Sequence, residues 1–262
     1  MVNKTDLHNL IHKYYLNGLV ERVKWNIKKN TLNIDFVDES AQVVGSLKAE
    51  EIGIKDVEIG FSDTTRLLKL LAILNGELDV DFISNEDIVE KMTIDDSKFN
   101  VKYSLSFIGF VPLVPKVKNY PEIDAEIILN REDIDSLLKA KGAISESDEV
   151  SIVSDKNIDG EDIVNFIFGD PNTPHSNKVT FGVRANIINN LDDYKCEIIG
   201  DIYEDQNKYT GEYNTIILKN ILSVNKNCGE GTIKFSSQGM LHYNFVEDNF
   251  STTYYMTSKE NV

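Results

Sequence analysis

Cysteine is nearly missing from this sequence: Cys196 and Cys228 are its whole supply in 262 residues. Neither belongs to a CxxC pair, and no histidine stands close by in the chain. That pattern argues against a disulfide framework or a zinc site and leaves two reduced, part-buried thiols. Long apolar runs are missing too. The longest are shorter than a bilayer span requires, and many are broken by charge. The first residues, MVNKTDLHNLIHKYY, lack the apolar centre and small-residue cleavage site of a secretion signal. A soluble intracellular protein is expected. Cations are in deficit, with 27 Lys and Arg against 43 Asp and Glu and a net charge of −16. A generic nucleic-acid binder is basic in total. Catalytic signatures are absent as well: no GxxxxGK[ST], GxGxxG or GxSxG occurs. Carboxylates are abundant, but none is singled out as a reacting pair. A non-enzyme without cofactor or metal is expected.

Apolar residues still make up 41% of the chain, enough to build a core. Four segments have helical periodicity. TDLHNLIHKYYL spaces Leu7, Leu10, Ile11 and Tyr14 along one face. TTRLLKLLAIL can be capped by Asp63 or Thr64 and stops at Asn75-Gly76. REDIDSLLKAK follows Asn130 as N-cap, with acids in its first turn, lysines in its last, and Gly142 after it, an order that complements the helix dipole. NTIILKNILSVNK ends near Gly229. Most of the remainder reads as short strands. In the first half these are RVKWNIKK, TLNIDFVD, VVGSLKAE, ELDVDFIS, KMTIDD and NVKYSLSF. In the second they are AEIILN, EVSIVS, DIVNFIFGD, KVTFGVRA, YKCEIIGDIY, GTIKFSS, GMLHYNFV and STTYYMT. The class is α+β with antiparallel sheets and few helices.

Residues 109–124, GFVPLVPKVKNYPEID, hold three of the five prolines. Proline cannot donate to a sheet ladder, so this stretch reads as an extended connector. It divides the chain into a domain over residues 1–110, a connector over 111–122 and a second domain over 123–262.

The two halves resemble each other. At an offset of 150, Thr65 meets Thr215, Leu68 meets Leu218, Lys69 meets Lys219, Leu71 meets Ile221 and Leu74 meets Val224. At an offset of 127, Leu7 meets Ile134, Leu10 meets Leu137, Ile11 meets Leu138 and His12 meets Lys139. The second half therefore carries about 23 extra residues between its helices, with GDPNTPHSN and YEDQNKYTGEY as the segments that can hold them. Amphipathic helices align easily by chance, but the shared order of helix, strands, helix, strands favours duplication.

Charge is unevenly divided. The four helical windows hold nine cations and five anions, while the rest of the chain nets −20. Thr215, Lys219, Ser223 and Lys226 share one stripe of the fourth helix. A solvated face explains such a stripe, and so does a common basic task in both halves.

Two further patterns carry less. DKNIDGEDIVNF begins like a calcium loop at Asp155, Asn157, Asp159 and Gly160, but its twelfth position is Phe166 rather than a bidentate Glu. Residues 157–160 read as a hairpin turn. His8 and His12 have the i, i+4 spacing of metal-binding helical histidines, with no third ligand and no HExxH glutamate in view. They read better as polar lining. His175 lies in a proline-bearing loop and His242 in a strand.

With these elements in place, the chain resembles a DNA sliding clamp of the proliferating-cell-nuclear-antigen and T-even-phage type over nearly its whole length. RLLKLLAILNGELDVDF resembles the family's second helix and following strand. GTIKFSSQGMLHYNFVEDNFSTTYYM resembles its closing strands. The sequence departs in its short first strand, with only Met1 to Asn3 before the first helix, and in its connector.

The resemblance implies a head-to-tail homotrimer, with helices lining a hole and sheets outside. It implies that Lys4, His12, Lys13, Arg66, Lys69, Lys139, Lys141, Lys219 and Lys226 face double-stranded DNA. Phosphate contacts of this kind are non-specific, salt-sensitive and compatible with sliding. An acidic exterior would repel DNA. It implies too that a DNA polymerase and a clamp-loader ATPase are partners, and that a peptide pocket lies beside the connector. Val111, Pro112, Leu113 and Val114 are apolar where an exposed loop is expected. They either line that pocket or pin the connector to its own sheet. Tyr254, Tyr255 and Met256 are expected near it. The alternatives are a clamp-like scaffold or transcription-coupling protein with no processivity role, and an unrelated two-domain interaction protein. Abundant Asn, Ile and Lys fit an AT-rich genome and a phage or virus, hence a host cytoplasm.

Overall fold

A computed structural model describes residues 1–86, 88–116, 120–170, 177–188, 210–236 and 238–258. The chain forms two compact units. The first comprises Met1–Lys116 and Glu247–Thr252, and the second Val117–Val246 and Thr253–Val262.

The first unit contains β1 (Val2–Asn3), α1 (Lys4–Tyr15), β2 (Val23–Lys28), β3 (Thr31–Val37), β4 (Val43–Ala49), β5 (Val57–Phe61), α2 (Thr64–Ala72), β6 (Glu77–Asn85), β7 (Ile88–Asp95) and β8 (Asn100–Ser104). Its strands run in the orders β1-β6-β7-β8 and β4-β3-β2-β5. All these pairings are antiparallel. Alternation decides which side faces inward. In β3, Leu32, Ile34 and Phe36 are buried while Asn33 and Asp35 are exposed. Leu7, Leu10, Ile11 and Tyr14 of α1 and Leu67 and Leu71 of α2 are buried, as is Trp25. Each fully buried large apolar side chain contributes roughly 1.5–3 kcal/mol.

The second unit contains β9 (Ala125–Asn130), α3 (Arg131–Ala143), β10 (Glu149–Lys156), β11 (Asp162–Phe168), β12 (Val179–Ile187), β13 (Thr210–Asn214), α4 (Thr215–Val224), β14 (Glu230–Ser236) and all of β15 (Met240–Glu247) and β16 (Phe250–Thr257) but their residues within Glu247–Thr252. Strand order is β13-β10-β11-β12-β9-β14-β15-β16. Ile134 and Leu137 of α3 and Ile217, Leu218, Ile221 and Leu222 of α4 are buried, along with Phe166, Phe235 and Tyr243. Helices α3 and α4 pack together, as α1 and α2 do in the first unit.

The helices begin where their caps dictate. Asn3, Asp63, Asn130 and Asn214 each accept backbone N–H groups of the first turn. At Asn130 the box is reciprocal, with Asp133 accepting from the Asn130 N–H. These caps put α1 and α3 at an offset of 127, as the sequence alignment has it. They put α2 and α4 at 151, one more than the alignment. At that offset Thr64 and Thr215 match: both are fully buried. The Thr64 hydroxyl donates to Glu21 O at 2.9 Å and the Thr215 hydroxyl to Ser147 O at 3.0 Å. At 151 the buried Leu67 and Leu71 also meet the buried Leu218 and Leu222, whereas an offset of 150 is one residue out and turns the helix by about 100°.

Other expectations need revision. Gly142 does not end its helix, since α3 runs through it to Ala143. Strands β5 and β13 lie outside the set that the sequence pattern marks. The strand expected at YKCEIIGDIY, with Cys196, and the loop holding His175 lie outside the described residues. Residues 188–209 join β12 to β13, whereas residues 50–56 join β4 to β5, so part of the extra length of the second half sits there. Residues 157–160 form the β10–β11 hairpin turn: Gly160 N–H donates to Asn157 O at 2.9 Å with φ +79°. Phe166 is buried in β11, so the calcium-loop pattern has no twelfth ligand.

Candidate nucleic-acid interface and partner pocket

Each unit covers its sheet with a helix pair, and the cations on these helices fall into two groups. Arg66 and Lys69 on α2, Lys139 on α3, Lys219 on α4 and Lys226 just beyond α4 are exposed. Among the described residues none of the five is in an ion pair. Lys4 is half-buried, and its Nζ donates to Ala72 O at 3.3 Å, at the carbonyl end of α2.

Lys13 and Lys141 do not join them, which corrects the expectation of nine DNA-facing groups. Lys13 is 2% exposed, and its Nζ lies 3.0 Å from Glu247 Oε2. Lys141 is 8% exposed and donates to Ile144 O, Ser145 O and Ser147 O at 3.2, 3.1 and 2.5 Å. It supplies donors to carbonyls of the turn that follows α3.

His12 is half-buried on α1 beside His8, with 3.3 Å between their Nε2 atoms. Burial lowers the basicity of both rings. The charge of Lys4 adds to the effect on His8, and His8 adds to it on His12. The His12 ring meets Tyr15 edge-on, and the Tyr15 hydroxyl lies 2.7 Å from Thr65 Oγ1 on α2.

The connector residues divide. Val111 is half-buried and packs close enough to β5 that a Cβ at Gly60 would lie 3.2 Å from its Cγ2. Ser106 N–H donates to Gly60 O at 2.9 Å and holds the preceding segment to the same strand. Val114 is half-buried, Pro112 is exposed and Leu113 is 96% exposed. Phe107 and Phe110 are exposed and meet edge-on at 5.7 Å between ring centres. In the first unit the apolar stretch therefore both pins itself and presents side chains to solvent.

Tyr254 and Met256 are fully buried and cannot line an exposed pocket. Their period-2 alternation in β16 puts Tyr255 on the opposite face. Tyr255 stacks on His242, with ring centres 4.8 Å apart and planes 7° from parallel. The Tyr255 hydroxyl donates to the Tyr120 hydroxyl at 3.3 Å. Lys234, the cross-strand partner of both His242 and Glu126, forms an ion pair with Glu126 at 3.4 Å. Burial, with Lys234 second, lowers the His242 basicity against the pull of Glu126. Burial and the Tyr120 hydrogen bond raise the Tyr255 pKa. Sequence reasoning missed Tyr120 and His242. The signal available was the alternation of β15 and β16, which puts His242 and Tyr255 on one face.

This arrangement, with eight strands and two helices in each half among the described residues, has close counterparts among solved structures. The proliferating cellular nuclear antigen of Entamoeba histolytica superposes with a TM-score of 0.70 at 13% identity, over 98% of this chain and 96% of that one. The fold is that of the sliding clamps. The A. fulgidus clamp bound to the C-terminal region of FEN-1 gives a TM-score of 0.69 at 14% identity, over 98% of this chain and 96% of that one. The PCNA2–PCNA3 complex of Sulfolobus tokodaii gives 0.68 at 9% identity, over 99% and 98%. No family model matches the sequence, and no curated protein is significantly similar to it. The likeness to the clamps thus lies in backbone and topology. Among the described residues no helix is long and apolar enough to cross a membrane.

Proposed function

We propose that this chain is a DNA sliding clamp: a homotrimeric ring that encloses duplex DNA and tethers a DNA polymerase, acting as a non-enzymatic processivity factor. The observation that carries this reading is the combination of a clamp fold with exposed cations on or beside the helices, Arg66, Lys69, Lys139, Lys219 and Lys226 among them and in no ion pair among the described residues, in a chain whose net charge is −16. Arg66, Lys69, Lys139, Lys219 and Lys226, with Lys4 and His12 beside them, would face phosphates from the helix side. Non-specific contacts of this type hold DNA without fixing position. The acidic remainder would keep DNA from the outside of the ring.

Two features support ring closure by strand pairing. β8 is an edge of its sheet, and residues 179–184 of β12 pair on one side only among the described residues. Edges of this kind are open to a second copy, and a head-to-tail contact that closes makes a ring. Opening such a ring around DNA calls for a clamp-loader ATPase. Partner peptides would dock near the connector. That reading draws on the exposed Leu113 and on the FEN-1 segment bound to the A. fulgidus neighbour. A phage or viral origin and a host cytoplasm fit the composition.

The test is retention on nicked circular DNA with the matching loader and ATP. A clamp stays on the circle and leaves when the DNA is cut once. Retention that survives cutting would contradict encirclement. A ring that loads but leaves polymerase product length unchanged would be a scaffold of another process.

A further inference from the structure

The two histidines of α1 have a geometry that lining a surface does not require. They stand at i, i+4, so their side chains share one face of the helix. Their Nε2 atoms are 3.3 Å apart, and the ring centres are 4.4 Å apart with the planes at 61°. A tetrahedral site with metal–nitrogen bonds of about 2.0–2.1 Å sets its nitrogens about 3.3–3.4 Å apart. The pair already stands at that separation.

We propose that His8 and His12 form a two-imidazole chelate for a divalent transition-metal ion of the zinc class. In the metal-free pair one Nε2–H donates to the other Nε2. On binding, the donor ring shifts its proton to Nδ1 and both Nε2 lone pairs go to the ion, with no net proton released from the neutral pair. Burial favours that neutral state. Lys4 acts against the ion through its charge on His8, but its ammonium is turned to the Ala72 carbonyl. Among the described residues no group of three or more His, Cys, Asp or Glu could hold a metal. The site therefore offers two protein ligands and leaves the other positions to water or an incoming oxygen, so the ion is exchangeable rather than structural. The chelate does not depend on the clamp reading. If that reading holds as well, the open positions would face the phosphates.

The test is calorimetric titration of the full-length protein with zinc chloride in a non-coordinating buffer. One site is expected, weakened at least tenfold in His8→Gln and in His12→Gln and unchanged in His242→Gln. Circular dichroism checks that each variant is folded, and His8→Asn and His12→Asn serve if a glutamine disturbs the helix. A rise in melting temperature on adding nickel should appear in the wild type and vanish in both α1 variants. Absence of zinc binding by the wild type would overturn the proposal. So would equal isotherms for the wild type and either α1 variant.

Discussion

Helices α1 and α3 open on the same chemistry and close on different chemistry. Asn3 and Asn130 each cap the first turn, so Tyr14 and Lys141 occupy equivalent places. Both are buried. In the first unit the place is filled by an aromatic ring, and the following residues turn at Leu16, in the left-handed region, with its N–H donating to His12 O. In the second it is filled by an ammonium that holds three carbonyls, and the helix runs on through a glycine. One backbone position thus serves two local solutions, and a cation count on such a helix does not give a surface charge.

The largest effect should come from breaking that contrast. Lys141→Ala leaves three carbonyls without their charged donor, at a cost of about 2–3 kcal/mol in denaturant melts. Lys139→Ala, two residues away and exposed, should change stability by less than about 0.5 kcal/mol. Equal melting curves for the two variants would erase the distinction between buried and exposed lysines.

Next in size are the caps. Asn130→Ala and Asn214→Ala should each cost about 1 kcal/mol, read from urea midpoints at constant slope. The loss at Asn130 should be the larger, because its box is reciprocal.

Lys69→Ala with Lys219→Ala should leave stability nearly unchanged. It should lower loader-dependent DNA retention and flatten its salt dependence, by about 0.9 in log–log slope for each phosphate no longer neutralised. An unaltered salt slope would remove these two residues from the DNA-facing set.

The smallest effect is the pH dependence that α1 contributes. His8 and His12 have lowered pKa values in the folded chain, so the unfolded chain binds more protons near pH 6. Their contribution is present above the ordinary histidine range near 6.5 and is lost as pH falls through the lower folded values. Stability should decline from pH 7 toward pH 5, and the decline should be shallower in the double variant His8→Gln, His12→Gln.

Much of this fold was legible in the residues. Asp63 and Asn130 announced their helices because cap chemistry is local, whereas the same role of Asn214 was not read from the sequence. Strands such as β3 were readable from strict alternation. What escaped depended on distant partners or on weak patterns. Lys13 reads as a surface cation until Glu247, far along the chain, is 3.0 Å away. β5 is VEIGF, with a buried glycine in place of a side chain that would mark the pattern. In β16 the face of each tyrosine turned on one residue of register, and Tyr255 rather than Tyr254 or Met256 points outward. The clamp resemblance rested on the order of elements, and it is the order of elements that the solved clamps share at 9–14% identity.

Whether this two-unit chain closes on copies of itself is read most directly from solution mass by multi-angle light scattering across a concentration series. A self-closing ring gives a species at three times 29.7 kDa that persists on dilution toward its dissociation range. A mass that stays at 29.7 kDa up to the highest concentration reached would contradict the self-closing ring.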